Sequence, residues 1–412
     1  MAMMKSSNTE WLGDIPAEWD VAQIGNYYEL RNEKVSDYDF EPLSVTMKGI
    51  VPQLATAVKS DDHSNRKLVK KGDFVINSRS DRRGSCGISA LDGSVSLINT
   101  VMEPRGEMNP QYYNWLFHTE QFADEFYKWG HGIVDDLWTT RWQEMKKILI
   151  VAPSPDEQQA IADYLDETCS KIDEIIAEAK ASIDEYKELK QSVIFEAVTK
   201  GLHKNVEMKQ CSVNWLDEIP STWESIRLKY LLTEINNRSE TGTEQHLSVS
   251  QVMGVVPSYM IAVANPTASY VGQKIVEPND IVFNKLKAHL GVFFMSKYHG
   301  LVSPDYAVYR TNDKVIPKYL EYLFHTSACI SEFKKYISGV AEGLMRLYTS
   351  DLFNIRICLP KVDEQIKIVE YVENKVELFN SLIAEKESLI HDLEAYKKSL
   401  IYEVVTGKRR VV

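Results

Sequence analysis

The chain repeats itself, and that repetition limits its fold more than any single motif does. WLGDIPAEW at 11–19 recurs 204 residues later as WLDEIPSTW at 215–223, and Leu43-Ser44-Val45 recurs at the same offset as Leu247-Ser248-Val249. Gly72-Asp73-Phe74-Val75-Ile76-Asn77 answers to Asn279-Asp280-Ile281-Val282-Phe283-Asn284, now 207 residues on. LFHT at 116–119 returns at 323–326, PSPDEQQAI at 153–161 matches PKVDEQIKI at 360–368, and EAVTKG at 196–201 echoes EVVTGK at 403–408. A match kept in order over the whole length is a duplicated unit, so the fold is two versions of one design.

Within each copy, a Trp-rich opening leads into short strands and turns at about 20–108 and 224–315. Helical patterns at Tyr112–Trp129 and Tyr319–Tyr336 and a β-branched run follow, then a proline and a long helix. Strands bounded by Gly, Asp and Asn predict α+β globules. The first long helix opens on Ser154-Pro155-Asp156-Glu157, a capping box with Pro at the first helical position. Its apolar positions are 162, 165, 169, 172, 176, 179, 183, 186, 193 and 197. The second helix repeats them at 369, 372, 376, 379, 383, 390, 393, 400 and 404, with Lys386 an exception and Lys190 and Lys397 interrupting both stripes at the equivalent place. Spacings of three and four over six turns describe a coiled-coil seam, each helix ~65 Å long, and the natural partner of each is the other. The expected architecture is two similar globules, joined and spaced by two long helices in an antiparallel coiled coil with an internal pseudo-two-fold. The expected domains are residues 1–155, a helix over 156–202, residues 203–362, and a helix with its tail over 363–412.

Charge bears on function. The net charge is −12, which argues against a simple DNA binder. Residues 156–200 hold 12 acidic and 5 basic residues, and residues 363–406 hold 10 and 5, so the two helices carry the whole excess. Residues 10–150 hold 22 acidic and 16 basic residues, so any DNA affinity there has to come from local clusters. The N-terminus has no apolar stretch behind its lysine, and no run approaches the ~18–20 apolar residues of a membrane helix. Cys86, Cys169, Cys211, Cys329 and Cys358 are scattered without metal spacing, as reduced thiols of a cytoplasmic protein would be.

Enzyme motifs are missing. There is no GxGxxG and no Walker A loop, so no nucleotide cofactor is expected. Asn265-Pro266-Thr267-Ala268 lacks the second proline and the aromatic of an adenine methyltransferase motif, and Pro304-Asp305 with Glu321 lacks a nuclease lysine. His118 and His325 are equivalent, but their leucine-rich aromatic helix makes them packing residues. No catalytic residue, cofactor or metal site is expected.

A tandem of variable globules, each followed by a long helix opening on Pro-x-x-x-Glu-Gln-x-x-Ile, resembles the specificity subunits of type I restriction-modification systems. The match is carried by Trp11 to Trp19 and Trp215 to Trp223, by Pro153, Glu157, Gln158 and Ile161, and by Pro360, Glu364, Gln365 and Ile368. Val198-Thr199 and Val405-Thr406-Gly407 also fit. The resemblance implies a non-catalytic, DNA-binding subunit whose globules are target-recognition domains, each reading half of a bipartite double-stranded DNA target. It further implies that the helices fix half-site spacing, that two methyltransferase subunits dock on them, and that restriction-translocase subunits join. DNA methylation would be done by the partners, which flip an adenine from the duplex.

Candidate DNA contacts follow from basic clusters beside strands and turns, since Arg and Lys bond guanine edges or phosphates. In the first copy these are Arg66-Lys67, Lys70-Lys71, the 77–84 segment with Arg79, Arg82 and Arg83 as an exposed loop, the Asp136–Trp142 segment with Arg141, and Lys48. In the second they are Lys285, Lys287 and His289, the Gly343–Thr349 segment with Arg346 and Tyr348, and Ser250 with Gln251. The competing expectation, consistent with the acidity, is a non-enzymatic coiled-coil scaffold joining two protein-binding domains.

Overall fold

The computed structural model describes residues 3–56, 63–79, 82–132, 138–203, 205–261, 269–338 and 346–411. The chain forms two compact units, one of Met1–Lys180 with Glu387–Val412 and one of Ala181–Lys386. The long helices Pro155–Lys200 and Val362–Val405 each begin in one unit and end in the other.

Both units are α+β and share one strand order. In the first, a four-stranded antiparallel sheet runs Cys86–Ile88, Phe74–Asn77, Asn99–Pro104, Tyr28–Leu30. In the second, Phe293–Met295, Ile281–Asn284, Tyr306–Thr311 and Leu232–Ile235 repeat it. A hairpin lies over each sheet, Leu43–Thr46 with Gly49–Pro52 and Leu247–Ser250 with Gly254–Pro257. The small core between hairpin and sheet is the same six positions twice. Leu43, Ile50, Val69, Val75, Val95 and Val101 in the first unit become Leu247, Val255, Val276, Val282, Val302 and Val308 in the second. β-branched side chains suit this site, stiff at χ1 and shaped for a pleated surface, and each contributes roughly 1.5–3 kcal/mol on burial.

A buried aspartate fixes the turn ahead of each central strand. Asp73 accepts the Lys70 N–H at 2.8 Å, and Asp280 accepts the equivalent Glu277 N–H at 2.9 Å. The counter-charge comes from different strands. Arg31 reaches Asp73 at 2.6 and 3.0 Å, whereas Asp280 is met at 2.7 and 2.8 Å by Arg310, which stands where the first unit has Glu103. The carboxylate has to be paired because it is buried; the side that supplies the arginine is free to change.

The larger core of each unit is aromatic and is closed by the end of the long helix from the other copy. Tyr112 donates its hydroxyl to Val405 O at 2.7 Å in the first unit, and Tyr319 donates to Val198 O at 2.8 Å in the second. Helix starts dock beside helix ends. Ser154 and Glu157 form the expected capping box, with Ser154 N donating to Glu157 Oε2 at 3.3 Å and Glu157 N to Ser154 Oγ at 3.4 Å. Glu157 also takes the Trp19 indole N–H at 3.1 Å, as Glu364 takes that of Trp223 at 3.2 Å. Gln158 and Gln365, both buried, tie the helix start to the globule by accepting Asn109 N at 2.8 Å and Ile316 N at 2.9 Å. The Glu-Gln pair of the repeat is therefore a structural clasp.

The helix segments inside each unit run antiparallel. In the first unit Glu157 meets Arg410, Asp173 meets Lys397 and Lys180 meets Glu394. In the second, Gly201 lies against Glu364 and Lys190 donates to Asn380 at 3.0 Å. On the first helix 162, 165, 169, 172, 176, 179, 183 and 197 are buried and 186 and 193 half-buried, whereas on the second only 372, 400 and 404 are buried and 369, 376, 379, 383, 390 and 393 are half-buried. The two lysines that interrupt the stripes occupy equivalent places, Lys397 on Asp173 and Lys190 on Asn380, which stands at the position matching Asp173. No helix among the described residues is long and apolar enough to cross a membrane.

Candidate nucleic-acid interface

In each unit three separate segments meet at one end of the central strand. The first is the hairpin turn, the second the chain leaving the strand, the third the approach to a short helix. In the first unit, Asn77 Oδ1 accepts the Arg79 N–H at 3.0 Å and turns the chain out of the sheet. Thr140 N then donates to Ser78 O at 3.0 Å, and Arg79 bridges Thr139 in antiparallel fashion. Tyr127 donates its hydroxyl to Arg79 O at 2.8 Å. Arg141, exposed, is the N-cap of Trp142–Met145. Arg79 is half-buried, while Arg82 and Arg83 are exposed, and Arg83 pairs with Asp124 with its guanidinium 5.9 Å from the Tyr127 ring centroid.

The hairpin turn carries exposed Met47 and Lys48 to the same place. Gly49 has φ +102, which only glycine takes easily, and a Cβ on Gly87 would lie 2.9 Å from the Gly49 Cα. Two glycines thus let hairpin and sheet edge touch, and Met47 Cε ends 4.0 Å from where a Gly84 Cβ would be.

The second unit repeats the arrangement with other side chains. Asn284 accepts the N–H groups of Leu286 and Lys287 at 3.1 and 3.2 Å, and the segment winds into a 3-10 helix, Lys285–Leu290, closed by Gly291 at φ +73. An exposed loop was the sequence expectation for the first-copy segment. Here the helical winding buries Ala288 and leaves Lys285 and His289 half-buried, with Lys287 exposed. Leu347 N donates to Lys285 O at 3.1 Å, the counterpart of Thr140 on Ser78, and Arg346 bridges Ser338. Tyr348, exposed, is the N-cap of Thr349–Asn354. Ser250 Oγ accepts the N–H groups of Val252 and Met253, both at 3.2 Å, and Gln251 Nε2 donates to Leu290 O at 3.2 Å. Hairpin tip and basic segment are thereby joined.

Of the sequence candidates, Lys48, Arg79, Arg82, Arg83 and Arg141 gather in the first unit, and Ser250, Gln251, Lys285, Lys287, His289, Arg346 and Tyr348 in the second. Lys70 and Lys71 do not join them. They lie in the turn entering the central strand, at its opposite end, with their amides on Asp73 and Asp92. Arg66 is buried on Ser94 and Lys67 donates to Asn99 O at 2.5 Å, as the equivalent Lys274 does to Tyr306 O at 2.9 Å. Burial lowers the pKa of all three cations, and it is their hydrogen bonds that tie them into the inner core. Residues 80–81, 133–137, 262–268 and 339–345, which include parts of the candidate segments and Asn265-Pro266-Thr267-Ala268, lie outside the described residues.

Sequence reasoning from charge did not single out Val252 and Met253, which follow Gln251 and are exposed by 92% and 48%. The repeated Leu-Ser-Val ahead of a glycine was the available signal. His118 and His325 close their helices, each with Nδ1 on the carbonyl four residues back, at 2.7 and 2.9 Å. Cys86, 3.8 Å from His118, has its thiol pushed up to about 12 by burial and stays protonated near neutral pH. Among the described residues no cluster of His, Cys, Asp or Glu could hold a metal.

Residues 220–391 match the family model described as type I restriction modification DNA specificity domain. The MjaVIII type I restriction enzyme specificity subunit of Methanocaldococcus jannaschii is 23% identical over 91% of this chain and 90% of that protein. The putative MjaX specificity subunit of the same organism is 20% identical over 92% and 91%. Among solved structures, a chain from a type I R-M system studied for complex assembly and conformational transition aligns with TM-score 0.72 and 14% identity, covering 95% of this chain and 98% of that one. The HsdS subunit of Thermoanaerobacter tengcongensis aligns with TM-score 0.58 and 16% identity, covering 96% and 98%.

Proposed function

We propose that this chain acts as a type I restriction-modification specificity subunit, the kind of protein its family match and its relatives point to, and that each unit is a target-recognition domain for one half of a bipartite DNA sequence. The observation that carries the reading is the convergence, in both units, of hairpin turn, strand exit and helix approach at one end of the central strand. The framework is the same in both; the side chains it presents are not. Five cations gather in the first unit. In the second, Lys285, Lys287, His289 and Arg346 are joined by Gln251 and Tyr348. Two readers of different sequences on one scaffold need this division.

The helix pair sets the separation of the half-sites by its own rigidity, as dimer geometry does in other DNA readers. Two methyltransferase subunits dock on this scaffold and restriction-translocase subunits join them, all in the cytoplasm. Base flipping and methyl transfer belong to those partners; this chain supplies sequence choice. The acidic helices face solvent and partners, which reconciles the net charge with a DNA-reading role.

The test is the triple change Arg79→Ala, Arg82→Ala and Arg83→Ala in the assembled methyltransferase. Methylated positions are then mapped across the DNA of cells expressing it. The expected result is loss of methylation at the wild-type motif, with Lys285→Ala and Lys287→Ala altering only the other half. A motif unchanged by all five substitutions would remove these segments from the reading site. Salt titration separates this reading from the scaffold alternative, because log K should fall by about 0.9 per neutralised phosphate per unit log salt.

A further inference from the structure

The hairpin tip of the second unit is built in a way the cations do not explain. Val252 is 92% exposed and Met253 48%, and Leu290, whose carbonyl holds Gln251, 47%. Apolar side chains held in water add nothing to the fold, and a cluster of them marks a contact surface. The tip is also fixed in shape. Ser250 Oγ takes two backbone N–H groups, and the Gln251 amide is pinned to Leu290 O. The 3-10 helix that Gln251 reaches carries Lys285, Lys287 and His289, and Arg346 precedes the Leu347 whose N–H donates to Lys285 O. A surface that is cationic at its rim and apolar at its tip fits a polyanion that presents an apolar group. In the major groove of DNA, that group is the 5-methyl of thymine.

Resting on the reading of each unit as a half-site reader, we infer that Gln251, Val252 and Met253 recognise an A·T base pair, Val252 and Met253 packing on the thymine methyl. Gln251 is suited to the adenine of that pair. One amide hydrogen is spent on Leu290 O, and the other, with Oε1, remains to donate to N7 and accept from N6. The first unit places different chemistry at this point. Its tip, Ser44 to Gly49, is one residue shorter than Ser248 to Gly254 and ends on Met47-Lys48 in place of Gln251-Val252-Met253. The tip is thus a specificity element that each unit fills separately.

Deoxyuridine tests this directly, because it removes the methyl and leaves the base pairing intact. The full chain is assembled with its methyltransferase partner, and the motif is defined by mapping methylated bases in cells. Binding is then measured on duplexes in which the thymines of one half-site at a time are replaced by deoxyuridine. At one half-site the wild-type complex should lose about four-fold in affinity, the worth of one buried methyl. Val252→Ser with Met253→Ser should bind the thymine duplex more weakly and lose the deoxyuridine sensitivity. Equal sensitivity of wild type and variant, or no thymine in either half-site, overturns the inference. So does a variant that fails to hold the methyltransferase while wild type ignores deoxyuridine, which would make the tip a protein contact. Absence of sequence-specific binding by the wild-type complex on its own thymine duplex is a separate result, and it would strike the half-site reading itself.

Discussion

Replacing Gln365 by leucine isolates the clasp that joins a long helix to its globule. Gln365 is fully buried. Its Oε1 accepts the Ile316 N–H at 2.9 Å, and its Nε2 donates to Lys314 O and Pro360 O, both at 3.0 Å. Leucine has similar volume, so the loss is polar and leaves little cavity. A buried donor without a partner costs about 1–3 kcal/mol, and carbonyls, with a second lone pair, cost less each. The three together amount to roughly 3–5 kcal/mol, and at a urea slope of about 2–3 kcal/mol/M the midpoint should fall by about 1–2 M. Gln158→Leu breaks two bonds, to Asn109 N and Pro153 O, each 2.8 Å, and should cost about 2–3 kcal/mol. Urea unfolding of the full chain gives the midpoint, and hydrogen exchange in peptides spanning 312–326 locates the damage at the N-cap of Pro317–Phe324. A Gln365→Leu chain within about 0.5 kcal/mol of wild type, with exchange at Ile316 unchanged, would refute the assignment of the Glu-Gln motif to packing.

The remaining expectations are brief. Gly407, at φ +70, faces Pro16 and Trp19, whose rings would come within 2.6 and 3.0 Å of a Cβ; Gly201, at φ +77, faces the Glu364 carboxylate and the Trp223 ring at a looser 3.0 and 3.4 Å. Gly407→Ala should therefore lower the melting temperature more than Gly201→Ala, which pays mainly the left-handed penalty of about 1 kcal/mol; the reverse order would refute the steric argument. Burial lowers the Lys274 pKa below its ordinary 10.5, with Glu234 opposing in part. The unfolded chain then holds more protons between the two values, so stability rises as pH climbs through the folded pKa toward 10.5. Wild type should gain on Lys274→Met between neutral pH and pH ~10 in urea titrations, and a constant difference would count against the buried charge. Burial pushes the thiols of Cys86 and Cys169 up to about 12 and about 11, whereas Cys211 is half-exposed. Iodoacetamide on the native protein should reach Cys211 first, and faster labelling of Cys86 would mean that its core opens readily.

The framework was largely legible and the candidate surface only partly so. Helix seams show a period, and a period survives in one dimension; the buried run from 162 to 183 is therefore visible to counting. The inner core was written twice, so its six positions could be paired by offset. Basic residues were harder to place. Arg66-Lys67 and Lys70-Lys71 read as two candidate clusters, but the first pair bonds within the inner core and the second lies in the turn entering the central strand, because alternation along a strand and the register of its neighbours decide direction. Val252 and Met253 at the second tip escaped a search for charge.

The sequence by itself determined that one unit is built twice, that two long helices carry paired apolar stripes, and which family pattern the chain follows. These are properties of order and spacing along the chain. Tertiary structure alone decided that each unit is completed by the far end of a helix begun in the other copy, with Tyr112 on Val405 and Tyr319 on Val198. It also decided that three distant segments meet at one strand end. Those pairings join residues from 39 to 293 positions apart, and only the folded backbone selects among the partners that local pattern leaves equivalent.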